Sequence, residues 1–220
     1  MIQIENTEIA GWMPAMRGMR NPMNSWDKAD SKIKVPYTPN DFVMGPEDHD
    51  LAMRLRKAGT DHRKFIRMVI CWVDITAPLY WWKEFDTYRN GVEKNSCSTM
   101  HKIASKEFTL NDFSCEHMTP CGLAALGTAI ERLNMARGYY NRKIDKLEEG
   151  MNWKDYWWDM IQLLPSSYNQ RRTVMMSYEA LANMYHARKH HKLDEWREFC
   201  RWVESLPYAE LITGEENTNE

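Results

Sequence analysis

Glycine is scarce and never clustered in this chain: ten residues in 220, spread so that neither a P-loop nor the glycine-rich turn of a dinucleotide-binding fold can be built. A nucleotide or flavin held here would need side chains, not a glycine turn, around its phosphates. An excess of positive charge is also lacking. The formal net charge is -2, which leaves no bulk attraction to nucleic acid. No stretch reaches the ~18 apolar residues that a membrane span needs, and the N-terminus has no basic region leading into an apolar core. The expectation is a protein neither secreted nor membrane-spanning. The five cysteines, Cys71, Cys97, Cys115, Cys121 and Cys200, are odd in number and share no recurring spacing, which argues against a disulfide framework and for a reducing, cytoplasmic setting. Cys115, His117 and Cys121 have no second pair at metal-ligand spacing, and His186, His190 and His191 lack the Glu of a His-Glu-x-x-His pattern, so no metal site is expected. No internal repeat is visible.

Aromatic and sulfur-containing side chains are plentiful. Ten Trp, ten Tyr and sixteen Met within a 43% hydrophobic composition fit either an aromatic core and oligomer interface or a set of flat surfaces for stacking rings. The length suits one domain, residues 1–213, followed by an acidic tail at 214–220 whose composition predicts disorder.

Along the chain, residues 1–14 predict a short edge strand. Arg17 and Arg20 follow, three apart and so on one side of a helical turn, as solvated charge or an anion clamp. Asp27 to Pro46 shows no sustained period and predicts a long loop. Glu47 to Ala58 has helical spacing, acids first, bases last and Gly59 as a stop. Phe65 to Ile75 predicts a strand, with apolar residues at both parities implying two covered faces. Pro78 ends it, and Leu79 to Tyr88 fits a short helix. Gly122 to Glu149 carries the longest helical signal, despite Gly138 within it. Asp155–Leu163, Gln170–Lys189 and Lys192–Ser205 complete the predicted helices, the last with Leu193, Trp196, Cys200, Val203 and Leu206 on one face.

Trp72 to Lys102 is the most unusual stretch: an apolar strand that halts at a Pro, restarts with helical spacing and dissolves into Asn-Ser-Cys-Ser-Thr. Polar loops of that kind tend to carry binding groups. The polar residues that stand out are Arg89, Asn95, Ser96, Ser98, His101, Asn169, Asn183, Arg188 and His190. On spacing alone, Asn183 reads more readily as a satisfied surface or capping group than as a functional one. Cys97, with His101 four residues on, could be a nucleophile, but nothing in the sequence shows a base beside it, which favours a small thiol buried in a loop.

Several segments, in order and at matching separations, resemble the flavin-dependent thymidylate synthases. They are HRKFIRMV from His62, ITAPLYWWKEF from Ile75, Tyr88-Arg89, NSCS from Asn95, and the run from Leu164-Pro165 through Thr173-Val174, Leu181, Asn183 and Arg188; Arg17 and Arg20 resemble the family's N-terminal Arg-x-x-Arg. Together they cover about half of the chain. The resemblance implies an α+β, predominantly helical subunit, a small sheet packed by long helices, assembling as a homotetramer with shared sites. It implies FAD as cofactor, reduced by NADPH, and methylenetetrahydrofolate as one-carbon donor to dUMP. His62, Arg89, Asn95, Ser177 and Asn183 would then meet the flavin, Ser177 standing where the family has an amide. Arg17, Arg20, Glu84, Ser96, Ser98, His101 and Arg188 would face the nucleotide, Arg188 as the catalytic cation at the uracil edge.

The chain departs from the family pattern at defined places. The signature Arg-His-Arg is here Thr87-Tyr88-Arg89, the closing Arg of Ser-x-Arg falls on Met100, and an Arg before Leu-Pro falls on Ile161, with Arg171 and Arg172 as possible substitutes. These losses leave open a different pyrimidine nucleotide or hydroxymethylation of dUMP. From another class, stacking aromatics leave open a helical single-stranded nucleic-acid-binding module, which the acidic balance opposes. A purely structural oligomer is the remaining reading.

Overall fold

The computed structural model describes residues 2–34, 41–145 and 152–214. In chain order the elements are β1 (Gln3–Ala10), α1 (Trp12–Arg20), β2 (Lys32–Ile33), β3 (Phe42–Val43), α2 (Pro46–Lys57), β4 (Ile70–Pro78), α3 (Leu79–Phe85), β5 (Val92–Ser96), α4 (Thr99–Lys102), α5 (Pro120–Arg142), α6 (Asp155–Gln162), β6 (Asn169–Ser177), α7 (Tyr178–Arg188), α8 (Asp194–Glu204) and α9 (Glu210–Thr213). Four strands form a sheet in the order β1-β4-β6-β5, and β2 pairs antiparallel with β3. The class is α+β and predominantly helical, as the sequence leads one to expect. By contact the chain groups into two compact units, one of Thr76–Phe85 and Ser96–Arg172, the other of Ile2–Ile75, Asp86–Asn95 and Thr173–Glu220.

The first unit is organised by α5. Pro120 opens it at a position where a missing N–H is harmless, and the Thr119 hydroxyl accepts from the Gly122 amide at 3.2 Å. Leu126, Leu133 and Ala136 then bury against Tyr156 and Met160 of α6, joined by Ile103, Phe108 and Phe113. Each such large side chain stabilises by about 1.5–3 kcal/mol when fully buried. Trp81, Trp82 and Phe85 of α3 pack ring on ring, with Trp82 donating its indole N–H to the Gln170 carbonyl at 2.9 Å.

In the second unit, Gly11 turns β1 into α1 with φ +97, and a Cβ there would lie 2.0 Å from the Met68 carbonyl oxygen. Only glycine permits that approach. The buried stripe of α1, Trp12, Met16 and Met19, faces the 3-10 turn Arg63–Met68. Asp30 caps α2, its carboxylate accepting from the Glu47 and Asp48 amides at 2.9 and 3.0 Å. Helix α7 is buried on nearly every side, and α8 contributes Trp196, Phe199, Cys200 and Val203.

The structure corrects several expectations. Gln170 to Lys189 is not one helix: Asn169–Ser177 is strand β6, and helix begins only at Tyr178. Pairing within the sheet overrides weak helical spacing there, and Val174 and Met176 bury while Arg171 and Thr173 stay exposed. The expected strand from Phe65 starts instead at Ile70, after the 3-10 turn, and its two faces differ. Cys71, Val73 and Ile75 are buried whereas Trp72 is 38% exposed. Helix Leu79–Tyr88 stops at Phe85. The long helix ends at Arg142, where Lys143 takes a left-handed conformation; the expected continuation to Glu149 lies mostly outside the described residues. The described parts of the 27–46 stretch hold a 3-10 turn and the β2–β3 pair rather than plain loop, residues 35–40 lying outside the description. Of the acidic tail only Gly214 is described.

Candidate active site

Helix α7 arrays the candidate residues of the second unit. At its start Ser177 is buried and spends its hydroxyl as the N-cap, accepting from the Ala180 amide at 3.2 Å. Its own N–H donates to the Gly91 carbonyl at 2.9 Å. Midway, Asn183 is exposed, and its amide oxygen accepts from Arg63 at 3.3 Å. That arginine is buried and makes a two-pronged pair with Glu179, at 2.8 and 3.1 Å. Fork-to-fork pairing of this kind fixes both planes. Arg56 completes the cationic side, meeting His186 at 2.9 Å and the Ile212 carbonyl at 3.0 Å. Burial, and then the Arg56 charge, hold His186 below its ordinary value.

Arg188 ends the helix. Its Nε donates to the Tyr88 hydroxyl at 2.8 Å, and its guanidinium carbon lies 4.7 Å from the Trp196 ring centroid and 5.6 Å from that of Tyr88. The helix C-terminus favours a cation at this point. His62 and Arg89 are exposed in the same unit, as is Asn95 on β5. Arg17 is exposed on α1, whereas Arg20 is 3% exposed and pairs with Asp48 at 2.6 Å. The two arginines therefore do not act together as a solvent-facing clamp; Arg20 is tied into the packing of α1 against α2.

The remaining candidates belong to the first unit. Glu84 is half-buried on α3 and Ser96 exposed at the end of β5. Ser98 caps α4 by accepting from the His101 amide at 3.2 Å. His101 itself is exposed and lines a cavity of about 440 Å³ with Met100, Trp153, Lys154, Trp157 and Trp158. Trp157 is tied there by its indole N–H to the Met100 carbonyl at 3.1 Å. Arg172 lies over Trp82, its guanidinium carbon 4.2 Å from the ring, and Arg171 is exposed. Asn169 accepts from the Ser114 hydroxyl at 2.9 Å.

The thiols range from exposed to buried, with Cys115 between the extremes. Cys97 and Cys121 are exposed, while Cys71 and Cys200 are buried, which pushes their pKa values up to about 12 and about 11. Buried thiols in that state are inert as nucleophiles. Among the described residues no group of three or more His, Cys, Asp or Glu could hold a metal ion, and no helix is long and apolar enough to cross a membrane.

Sequence reasoning passed over Arg63, Glu179 and Trp196. Arg63 and Glu179 stand 116 residues apart, so nothing local pairs them, and Trp196 falls on the apolar face of α8 like any core residue. The three tryptophans at the cavity do fit the expectation of flat aromatic surfaces, although no motif marks them.

Neither a protein-family model nor a curated protein matches the chain. Solved structures do resemble it. Thymidylate synthase X from Helicobacter pylori with FAD and dUMP superposes with a TM-score of 0.65 at 13% identity, covering 97% of this chain and 98% of that one. A second structure, of flavin-dependent thymidylate synthase from the same organism complexed with FAD and dUMP, gives 0.63 at 13% over 97% and 98%. The UMP/dUMP methylase PolB from Streptomyces cacaoi, bound with 5-Br dUMP, gives 0.60 at 14% over 97% and 94%. The chain has the fold of the flavin-dependent thymidylate synthases.

Proposed function

We propose that this chain is a flavin-dependent methyltransferase that converts dUMP to dTMP with methylenetetrahydrofolate and NADPH. One observation carries the reading: near full-length likeness to enzyme structures that hold FAD and dUMP together. Residues 1–213 serve this one catalytic role, in a cytoplasmic homotetramer with shared sites.

The donor set suits FAD in part. His62, Arg89 and Asn95 are exposed and offer the cationic and amide groups that a pyrophosphate and a flavin edge require in the absence of a glycine turn. Asn183 keeps its amide nitrogen for the same purpose, its oxygen being engaged by Arg63. Ser177 fits least, because its hydroxyl already caps α7. When bound, FAD supplies the reducing equivalents of the reaction. Arg17, Glu84, Ser96, Ser98 and His101 are assigned to the nucleotide. Arg188 is assigned to the uracil edge, where a guanidinium stabilises negative charge that develops as C5 becomes nucleophilic.

A second reading keeps the flavin and changes the product, through another pyrimidine nucleotide or hydroxymethylation. Its support is the pair of positions where the family resemblance calls for arginine. Met100 is 48% exposed beside an aromatic cavity and Ile161 packs against the apolar core, so neither offers a phosphate donor. The test is to incubate the purified protein with FAD, NADPH, methylenetetrahydrofolate and dUMP or UMP, following visible flavin absorption and product mass. A dTMP product supports the first reading, and a hydroxymethylated or ribonucleotide product the second. A colourless protein that converts neither nucleotide overturns both.

A further inference from the structure

We propose that Tyr88 and Trp196 are positioning residues: together they form an aromatic corner that fixes the guanidinium of Arg188. The inference rests on the role assigned to Arg188 above. The two rings stand 6.0 Å apart at 68° to one another, one edge toward the other's face. The guanidinium carbon lies 4.7 Å from the Trp196 centroid and 5.6 Å from that of Tyr88, toward the phenol's hydroxyl. Trp196 is fully buried, and His191 packs its ring edgewise on it at 6.3 Å, so one wall of the corner is itself braced. The other wall is oriented by a bond, since the Tyr88 oxygen accepts from Arg188 Nε at 2.8 Å.

Each contact restrains a different freedom. Contact with the Trp196 ring limits how far the guanidinium can move away from it, and the hydrogen bond to Nε restrains its rotation. Together they set the direction in which the two Nη groups project. A free arginine side chain would lose rotamer freedom each time a ligand was engaged, and a pre-fixed cation avoids that loss. Tyr88 is also the middle residue of Thr87-Tyr88-Arg89, the triplet that departs from the family's basic signature. The departure is therefore more than a lost cation: the phenol is a neutral acceptor directed at Arg188.

The experiment compares the holoenzyme with Tyr88→Phe, Trp196→Phe and Arg188→Lys. Tyr88→Phe keeps the ring and deletes only the acceptor. The expected result is a fall in kcat on dUMP of about 10- to 100-fold, the worth of a hydrogen bond to a charged group, with KM within about threefold and flavin absorption unchanged. Combining Tyr88→Phe with Arg188→Lys should cost little more than Arg188→Lys alone, as expected of groups that act as one unit. A Tyr88→Phe enzyme with wild-type kcat and a lowered Tm would overturn the proposal by making the phenol merely structural. If Arg188→Ala retains turnover, the assigned role of Arg188 fails and this inference with it. Should the wild type not act on dUMP at all, NMR exchange of the Arg188 Nε proton still decides about the corner. Slow exchange that Tyr88→Phe accelerates supports it, and equal rates in both proteins overturn it.

Discussion

Replacing Gly91 by alanine tests how α7 is started. Gly91 has φ +70, and a Cβ there would lie 2.6 Å from the Ser177 hydroxyl oxygen. An alanine forced to positive φ costs about 1–2 kcal/mol. The hydroxyl must also move, and since it is the N-cap of α7, loss of the cap adds about 1 kcal/mol. The sum of about 2–3 kcal/mol corresponds to a fall in Tm of roughly 5–10 °C for a chain of this size. Differential scanning fluorimetry with urea titration measures it. Ser177→Ala alone should cost about 1 kcal/mol, and in the double variant the steric conflict is gone because the offending oxygen is absent. The double variant should therefore be less destabilised than the sum of the singles by about 1 kcal/mol. Additive losses, or a Gly91→Ala protein as stable as the wild type, would refute the contact.

Three further outcomes are expected. Arg188→Ala should keep the protein folded with a modestly lowered Tm, since it loses the Tyr88 and Trp196 contacts, and should abolish dUMP turnover, while Arg89→Ala should mainly weaken FAD retention, read by flavin absorption after gel filtration. Arg63→Met should lower stability by about 3–5 kcal/mol, because it leaves the buried Glu179 carboxylate unpaired; urea unfolding checks this, and a simultaneous Glu179→Leu should restore most of the loss. Burial pushes the Asp48 carboxyl up, but hydrogen bonds from Ser31 and Arg20 outweigh it and hold the group below its ordinary 3.8. Its folded form thus keeps the charge at pH values where the unfolded chain takes up a proton. The stabilisation is complete above about pH 4 and drains away as pH falls through the folded value. Urea midpoints at about pH 6 and about pH 3 should therefore differ more in the wild type than in Asp48→Asn.

Much of the helical frame could be read directly. Acids at the start of α2, bases at its end and Gly59 beyond it mark that helix correctly, because helix ends are governed by local electrostatics and caps. The apolar spacing of α8 likewise identifies Trp196, Cys200 and Val203 as buried. Strand β6 escaped because its partners lie far off in sequence: Thr173 to Met176 look neutral until the sheet is assembled around them. The site shows the same division. Arg188 is conspicuous as a cation ending an apolar helix, but its corner draws on Tyr88, 100 positions earlier in the chain, and no periodicity connects the two. Arg20 shows the opposite case. Its spacing from Arg17 is visible, whereas the buried Asp48 that claims it is not.

Helix α7 runs over 11 residues, with Ser177 as its cap, Asn183 in its middle and Arg188 at its tail. With a rise of 1.5 Å and a turn of about 100° per residue, its ends are linked like teeth on one shaft about 16 Å long. One residue inserted within it would swing Arg188 about 100° away from its corner while leaving the cap untouched. The length of α7 is thus a constraint in its own right, separate from the packing of its buried side chains: a single insertion or deletion would break the link between cap and cation even if every side chain were kept.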